Sequence, residues 1–216
     1  MKKNIVITVE RLYGSGGRTV GEMLAEDQGI HYYDKELVKL CAEESGISED
    51  LFVDADESLK KAKLFRLGKG KYKGELLKPG HSDYVSPENL FNYQAKVLKN
   101  LAETKSCVVI GRCGNFVLRD YENVVSVFVH APMPYLLEQA ALKQSRRGME
   151  LREYVEKTNK NRAEYYEYYT GHKWERAQDY DLCLDSSRLG FDMCVEQIKS
   201  YLKIRFGDDV LPLSGE

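Results

Sequence analysis

A glycine-rich stretch near the amino terminus, residues 13–19, has the residue types and spacing of a phosphate-binding loop. Glycine can adopt a positive φ angle and lets the main chain approach a ligand closely. The backbone N–H groups of such a loop, together with those that begin the following helix, form a concave site for oxyanions. The residues predicted to bind phosphate here are Gly14, Ser15, Gly16, Gly17, Arg18 and Thr19.

This loop departs from the consensus G-x-x-x-x-G-K-[ST] at two places. With Thr19 as the terminal hydroxyl, Arg18 replaces the lysine and Leu12 replaces the first glycine. Arginine keeps the positive charge and adds a bidentate fork, but it is bulkier than lysine. The alternative interpretation is an ordinary glycine-rich turn between a strand and a helix.

Two more charged residues directly follow apolar runs. Asp34 follows a short strand candidate at 29–33, and Arg112 comes after a buried strand candidate at 107–110. Ligands bind at the carboxyl ends of the strands in open α/β sheets, so both side chains are expected beside the glycine loop. The arginine fork suits a phosphate. Two structural alternatives stay open, in which Asp34 caps the next helix and Arg112 pairs with a carboxylate.

Two basic helices are predicted in the second half of the chain, at about 132–147 and about 151–169. Arg162 lies on the second helix, and Arg146 and Arg147 lie at the glycine break between the two. Such a pair can act as a lid that excludes water and brings charge to a transferring group. Ordinary surface basicity is the alternative. The tyrosines at 165, 166, 168 and 169 fit either ligand stacking or, more commonly, packing against the body.

The elements that must position these residues alternate between strands and helices. Apolar, β-branched runs predict strands at 4–9, 107–110 and 124–129, with shorter ones at 29–33 and 181–185. Amphipathic stretches between them predict helices. The alternation predicts an α/β fold with a parallel sheet of about five strands and helices on both faces.

The length of 216 residues predicts a single domain. Its core is expected at 3–48 and 87–206, and a lid at about 144–172. Residues 49–86 include a lysine- and glycine-rich stretch with little periodicity. They are predicted to form a mobile surface insertion that covers a substrate.

Composition excludes several classes of function. A net charge of −2 gives no indication of a general nucleic-acid binder. Strand-sized apolar runs and the lack of a secretory pattern predict a soluble, cytoplasmic protein without membrane partners. The five scattered cysteines are expected to be free, buried thiols, and the four dispersed histidines do not suggest structural zinc. A homo-oligomer is compatible with the sequence but not indicated by it.

Several separate stretches resemble the cytidylate kinase-like family, a branch of the P-loop nucleoside monophosphate kinases. The matching motifs are ITVER at 7–11, YGSGGR at 13–18, YDKEL at 33–37, IGRC at 110–113, YYEYYTG at 165–171 and YDLCLDS at 180–186. The resemblance spans about residues 3–204 and is weakest across 50–90. The order of these motifs is more specific than any one of them.

The resemblance implies a three-layer P-loop NTPase fold with a nucleoside monophosphate-binding insertion and a helical lid. It also implies transfer of the ATP γ-phosphoryl group to CMP or dCMP with Mg²⁺. By this resemblance the loop holds the ATP phosphates, with Arg18 in the lysine's role and Thr19 offering its hydroxyl to Mg²⁺, directly or through water. Asp34 would lie near the metal waters or the acceptor, Arg112 would hold the acceptor phosphate, and Arg162 would reach the transferring group.

In phosphoryl transfer the protein mainly positions the reactants and neutralises the charge on the phosphates, with little covalent chemistry of its own. Arginines and a metal therefore suffice. Thr19 and the two arginines at 112 and 162 favour catalysis. Arg18 and the unfamiliar acceptor region favour a second hypothesis, a nucleotide sensor with a degenerate loop and no turnover. A third hypothesis keeps the kinase chemistry but uses another small hydroxyl or phosphate compound as acceptor.

Overall fold

The computed structural model describes residues 4–53, 72 and 74–213. Five strands form one sheet in the order β2-β3-β1-β4-β5. They are β1 (Val6–Arg11), β2 (His31–Tyr33), β3 (Cys107–Ile110), β4 (Val124–His130) and β5 (Leu182–Asp185). Every pairing is parallel, so the carboxyl ends of all five strands lie at one edge of the sheet.

Helices cover both faces of this sheet. They are α1 (Gly17–Gln28), α2 (Glu36–Ser45), α3 (Pro87–Thr104), α4 (Gly114–Val117), α5 (Met133–Lys143), α6 (Gly148–Thr170) and α7 (Ser186–Phe206). Side chains of β1 alternate between two cores: Val6 packs with α2, α3 and α6, whereas Ile7 and Val9 pack with α1 and α7. The predicted parallel α/β sheet with helices on both faces is confirmed.

Element boundaries differ from the sequence prediction at the second pair of helices and at the last one. Helix α5 ends at Lys143 and α6 already begins at Gly148, which has a positive φ of 55°. Helix α7 starts at Ser186 and is interrupted at Gly190, which has φ 72° and ψ 171°. Asp34 does not cap α2, whose N-cap residue is Lys35.

All five cysteines are free, as predicted, but their burial was predicted wrongly in one case. Cys183 is exposed, whereas the other four are buried. It lies on β5, which is an edge strand of the sheet, so only one side of the strand is paired. An apolar run therefore does not by itself indicate that every residue in it is buried.

The predicted insertion at 49–86 is only partly described. Residues 54–71 and 73 lie outside the described residues, and 74–86 contain no regular helix or strand. The Asn89 side chain of α3 holds this loop, since its Oδ1 accepts from Leu77 N–H at 2.8 Å and its Nδ2 donates to Tyr84 O at 2.7 Å. The mobility of the insertion stays a prediction.

Within the ranges that are described, no helix is long and apolar enough to cross a membrane.

Candidate active site

The glycine loop follows β1 and leads directly into α1. Gly14 and Gly16 have φ values of 89° and 76°, which a residue with a Cβ atom rarely adopts. A Cβ atom on Gly14 would lie 2.4 Å from the carbonyl oxygen of Leu136. One on Gly17 would lie 2.5 Å from the Cβ atom of Arg11. The loop therefore requires glycine both for its backbone conformation and for its close packing.

The amino end of α1 presents unpaired backbone donors to the sheet edge. The first bond of the helix runs from Val20 N–H to Gly16 O at 2.9 Å. The N–H groups of Gly17, Arg18 and Thr19 therefore precede the helical hydrogen-bond ladder, as the first donors of an α-helix always do. Together with the helix dipole, these three groups make the start of α1 a site for an anion.

Ser15 has a different environment from the rest of the predicted phosphate loop. Its side chain is fully buried, and both its N–H and its hydroxyl donate to Leu12 O, at 3.2 and 2.9 Å. Its carbonyl oxygen accepts from the Ser186 hydroxyl at 2.7 Å, which links the loop to the start of α7. The structure thus turns the Ser15 side chain into the protein, and phosphate binding by the later residues of the loop stays a prediction.

Arg18 and Asp34 are brought together at the sheet edge. Arg18 Nη2 lies 3.1 Å from Asp34 Oδ2, and its Nε lies 3.4 Å from Glu22 Oε1. The arginine side chain is 51% exposed, so these are solvent-screened ion pairs. The positive charge that replaces the P-loop lysine is therefore directed towards the end of β2.

Arg112 sits in an unusual backbone turn after β3. Gly111, Arg112 and Cys113 have consecutive positive φ values of 69°, 62° and 53°. Each non-glycine residue in this conformation costs on the order of 1–3 kcal/mol, and such strain concentrates at functional sites. The turn is closed by a bond from Gly114 N–H to Gly111 O at 3.1 Å. Arg112 lines the large cavity beside this turn.

That cavity, here called the cleft, has a volume of about 640 Å³ and opens at the carboxyl ends of β1, β2 and β3. Its charged lining is dominated by cations. The five basic residues are Arg11, Arg112, Arg146, Lys157 and Arg162, against two carboxylates, Glu10 and Asp34. A concave site with this excess of positive charge favours a small polyanion.

Helix α6 carries Arg162 to the glycine loop. Asn159 Oδ1 accepts from Tyr13 N–H at 2.6 Å, and Tyr154 meets the Tyr13 ring edge to face with centroids 5.3 Å apart. Arg162 Nη1 donates to Arg11 O at 2.9 Å. The predicted lid helix therefore contacts the loop directly, while its opening and closing stay a prediction.

The carboxyl-terminal half of α6 belongs to the protein body. Tyr166 and Tyr169 are almost completely buried, and the Tyr169 ring stacks on Phe91 at 3.9 Å. For these two tyrosines the packing interpretation is confirmed.

Among the described residues, no group of three or more His, Cys, Asp or Glu side chains could hold a metal ion.

Sequence reasoning missed Glu10, a buried carboxylate in the floor of the cleft. The residue is 4% exposed, and its Oε2 accepts from Trp174 Nε1 at 2.9 Å. Burial raises its pKa above the usual range, against the opposing effect of Arg11. The available signal was its alternation with Val6 and Thr8 on β1, because it places a carboxylate on an inward face three positions before the glycine loop.

Solved structures share this architecture at low sequence identity. An uncharacterized protein from Eubacterium ventriosum aligns with a TM-score of 0.67 and 22% identity, covering 93% of this chain and 99% of that one. A shikimate kinase from Bacteroides thetaiotaomicron aligns with a TM-score of 0.53 and 13% identity, covering 92% and 98%. A sugar kinase from Janibacter sp. also has a TM-score of 0.53 and 13% identity, covering 97% and 96%. At these identities the likeness shows the fold alone.

No curated protein matches the sequence. The sequence pattern of one family does, and it extends over residues 6–188, from β1 through the start of α7. The match includes the glycine loop, the Arg112 turn and the helix that carries Arg162. The cationic cleft beside a helix amino terminus thus occurs in a chain that belongs to the cytidylate kinase-like family.

Proposed function

We propose that the protein transfers the γ-phosphoryl group of ATP to the phosphate of a nucleoside monophosphate, with CMP and dCMP as the preferred acceptors. The observation that carries the proposal is the cleft. Five cations line it, Arg112 and Arg162 among them, and its carboxylate Asp34 contacts Arg18 of the glycine loop. Two phosphorylated ligands would meet there. The family membership supports a phosphotransferase, and the choice of CMP rests on the family resemblance.

The donor side fits ATP and Mg²⁺. The phosphates would be held by the N–H groups of Gly17, Arg18 and Thr19 at the start of α1. The Thr19 hydroxyl and the Asp34 carboxylate supply the oxygen ligands that Mg²⁺ prefers, directly or through water. When bound, the metal neutralises charge on the β- and γ-phosphate oxygens.

On the acceptor side, Arg112 would bind the monophosphate and Arg162 would contact the transferring group. The acceptor oxygen of a phosphate is already ionised, so the reaction needs in-line positioning and charge neutralisation. Arg162 is suited to this role because it is partly buried and bonded to the main chain of Arg11. Arg18 would leave Asp34 to contact the ATP phosphates.

A panel assay tests this proposal. The protein is incubated with Mg·ATP and each of CMP, dCMP, UMP, AMP and GMP, and ADP release is followed. CMP and dCMP should give the highest rates. A flat panel with ATP binding intact would instead support a nucleotide sensor, the alternative that the engaged Arg18–Asp34 pair favours.

Arg112→Met tests the acceptor side separately. Losing one charge-assisted contact of about 1.5–3 kcal/mol should weaken monophosphate binding by about 10- to 150-fold. ATP affinity should change little. Arg119→Met is the matched control, because Arg119 is a half-exposed arginine of the same region that lies outside the cleft. Equal losses for both nucleotides in the Arg112 variant would contradict the assignment.

A further inference from the structure

Glu10 lies beside Arg11 and lines the same cleft as Arg162, which comes from a distant part of the chain. Arg11 follows it on β1, and Arg11 Nη1 lies 3.9 Å from Glu10 Oε2. Arg162 comes from α6 and reaches the same end of β1 by donating to Arg11 O at 2.9 Å. Both arginines and the carboxylate line the cleft. The three residues are called the triad below.

The charge of Arg162 in the triad is disfavoured by its surroundings. Burial lowers the pKa of Arg162, and the neighbouring Arg11 lowers it further, whereas the Glu10 carboxylate acts in the opposite direction. Like charges in a poorly solvated site separate or neutralise unless an anion lies between them. Glu10 is such an anion, since its side chain is only 5% exposed and its Oε2 lies 3.9 Å from Arg11 Nη1.

Two hydrogen bonds fix the orientation of the Glu10 carboxylate. Trp174 Nε1 donates to its Oε2 at 2.9 Å, and Cys113 N–H also donates to the carboxylate. Cys113 is the last residue of the strained turn that contains Arg112. The turn therefore aims a backbone donor at Glu10, and its central residue Arg112 lines the same cleft.

We propose that Glu10 is a positioning residue whose carboxylate holds Arg11 and Arg162 side by side on the floor of the cleft, as a second binding element for the acceptor's phosphate. The inference rests on the proposed function for the identity of that phosphate. A guanidinium has five N–H donors, so an arginine bonded to the main chain by one of them can still bind a phosphate oxygen with others. Arg11 thereby becomes a substrate-binding residue in addition to Arg112.

Anion rescue tests this role without requiring turnover. Glu10→Gln keeps the size of the side chain and an acceptor for Trp174 and Cys113, but removes the charge between the arginines. The variant should melt below wild type in phosphate-free buffer. Millimolar inorganic phosphate should then raise its melting temperature by about 3 °C more than it raises that of wild type, since the added anion replaces the missing one.

Two further variants separate charge from packing. Glu10→Asp keeps the charge and should show the wild-type phosphate response, even if its shorter side chain lowers the melting temperature. Glu175→Gln removes an exposed carboxylate one residue after Trp174 and should also respond like wild type. A phosphate response of Glu10→Gln equal to that of wild type, or the same excess in Glu10→Asp, would overturn the proposal.

Steady-state kinetics give a second readout if a monophosphate is turned over. In Glu10→Gln the cleft is more positive, so the KM for the acceptor should not rise. Misplaced arginines should lower kcat by about 10- to 100-fold. A raised KM with unchanged kcat would count against a positioning role. The melting experiment uses inorganic phosphate alone, so its outcome is independent of whether the panel identifies an acceptor.

Discussion

Replacing Arg18 with alanine separates the stability role of this residue from its proposed role in ATP binding. In the structure its guanidinium contacts Asp34 at 3.1 Å and Glu22 at 3.4 Å. The contact with Glu22 is exposed to solvent, since the two side chains are 51% and 49% exposed. The contact with Asp34 is partly exposed, since the Asp34 side chain is 20% exposed. Exposed pairs contribute about 0.2–1 kcal/mol each. Arg18→Ala should therefore lower the free energy of unfolding by roughly 1 kcal/mol, or about 2–4 °C in melting temperature.

The expected loss of ATP affinity is larger than this loss of stability. One or two charge-assisted hydrogen bonds to phosphate are worth about 3 kcal/mol, which is on the order of 100-fold in Kd. At an ATP concentration 100 times the wild-type Kd, the ligand stabilises wild type by about 2.7 kcal/mol. A 100-fold weaker variant retains only about 0.4 kcal/mol at the same concentration. The Mg·ATP-dependent rise in melting temperature should fall from about 5–10 °C to about 1 °C.

Thermal unfolding with and without Mg·ATP measures both effects in one experiment. Arg152→Ala is a matched control, because Arg152 is 49% exposed and pairs with Glu156 at 3.3 Å with the same i, i+4 spacing as Arg18 and Glu22. The control should lose a similar amount of stability and keep the full response to ATP. An Arg18→Ala protein with a wild-type ATP response would refute the view that this arginine does the work of the P-loop lysine.

Two stability predictions follow from the glycine loop and from the buried thiols. Gly14→Ala should cost about 2–5 kcal/mol in urea unfolding, because it adds a clash with Leu136 O to the strain of a positive φ. Gly46→Ala, with φ 72° and nothing within 4 Å of its Cβ position, should cost only about 1–2 kcal/mol. Equal losses would show that the loop does not pack tightly on α5. Burial raises the pKa of Cys107 to about 12 from its usual 9.0. Between these values the unfolded chain releases a proton that the native protein keeps, so stability falls as pH rises. Cys107→Ala should make this decline shallower by about 1.4 kcal/mol per pH unit, as measured by urea unfolding across that range, and an unchanged slope would contradict it.

Much of the fold and part of the site could be predicted from local pattern. Period-two and period-3.6 apolar spacing depends on residues within one element, and it located all five strands. The rule that ligands bind at the carboxyl ends of parallel strands brought Asp34 and Arg112 to the edge where the glycine loop lies. It could not decide between helix capping and a ligand-binding position beside the glycine loop for Asp34, because both uses suit a carboxylate that precedes a helix.

The sequence by itself determined the glycine loop, the parallel α/β arrangement and the identity of the basic residues near the sheet edge. Only the tertiary structure decided which of them meet. Tyr13 bonds to Asn159 across 146 residues, Arg162 to Arg11 across 151, and Trp174 to Glu10 across 164. These contacts depend on how α6 and the segment after it pack over the end of β1. Packing of distant segments is set by the whole core rather than by any local spacing, so the charge of Glu10 was visible in the sequence but its partners were not.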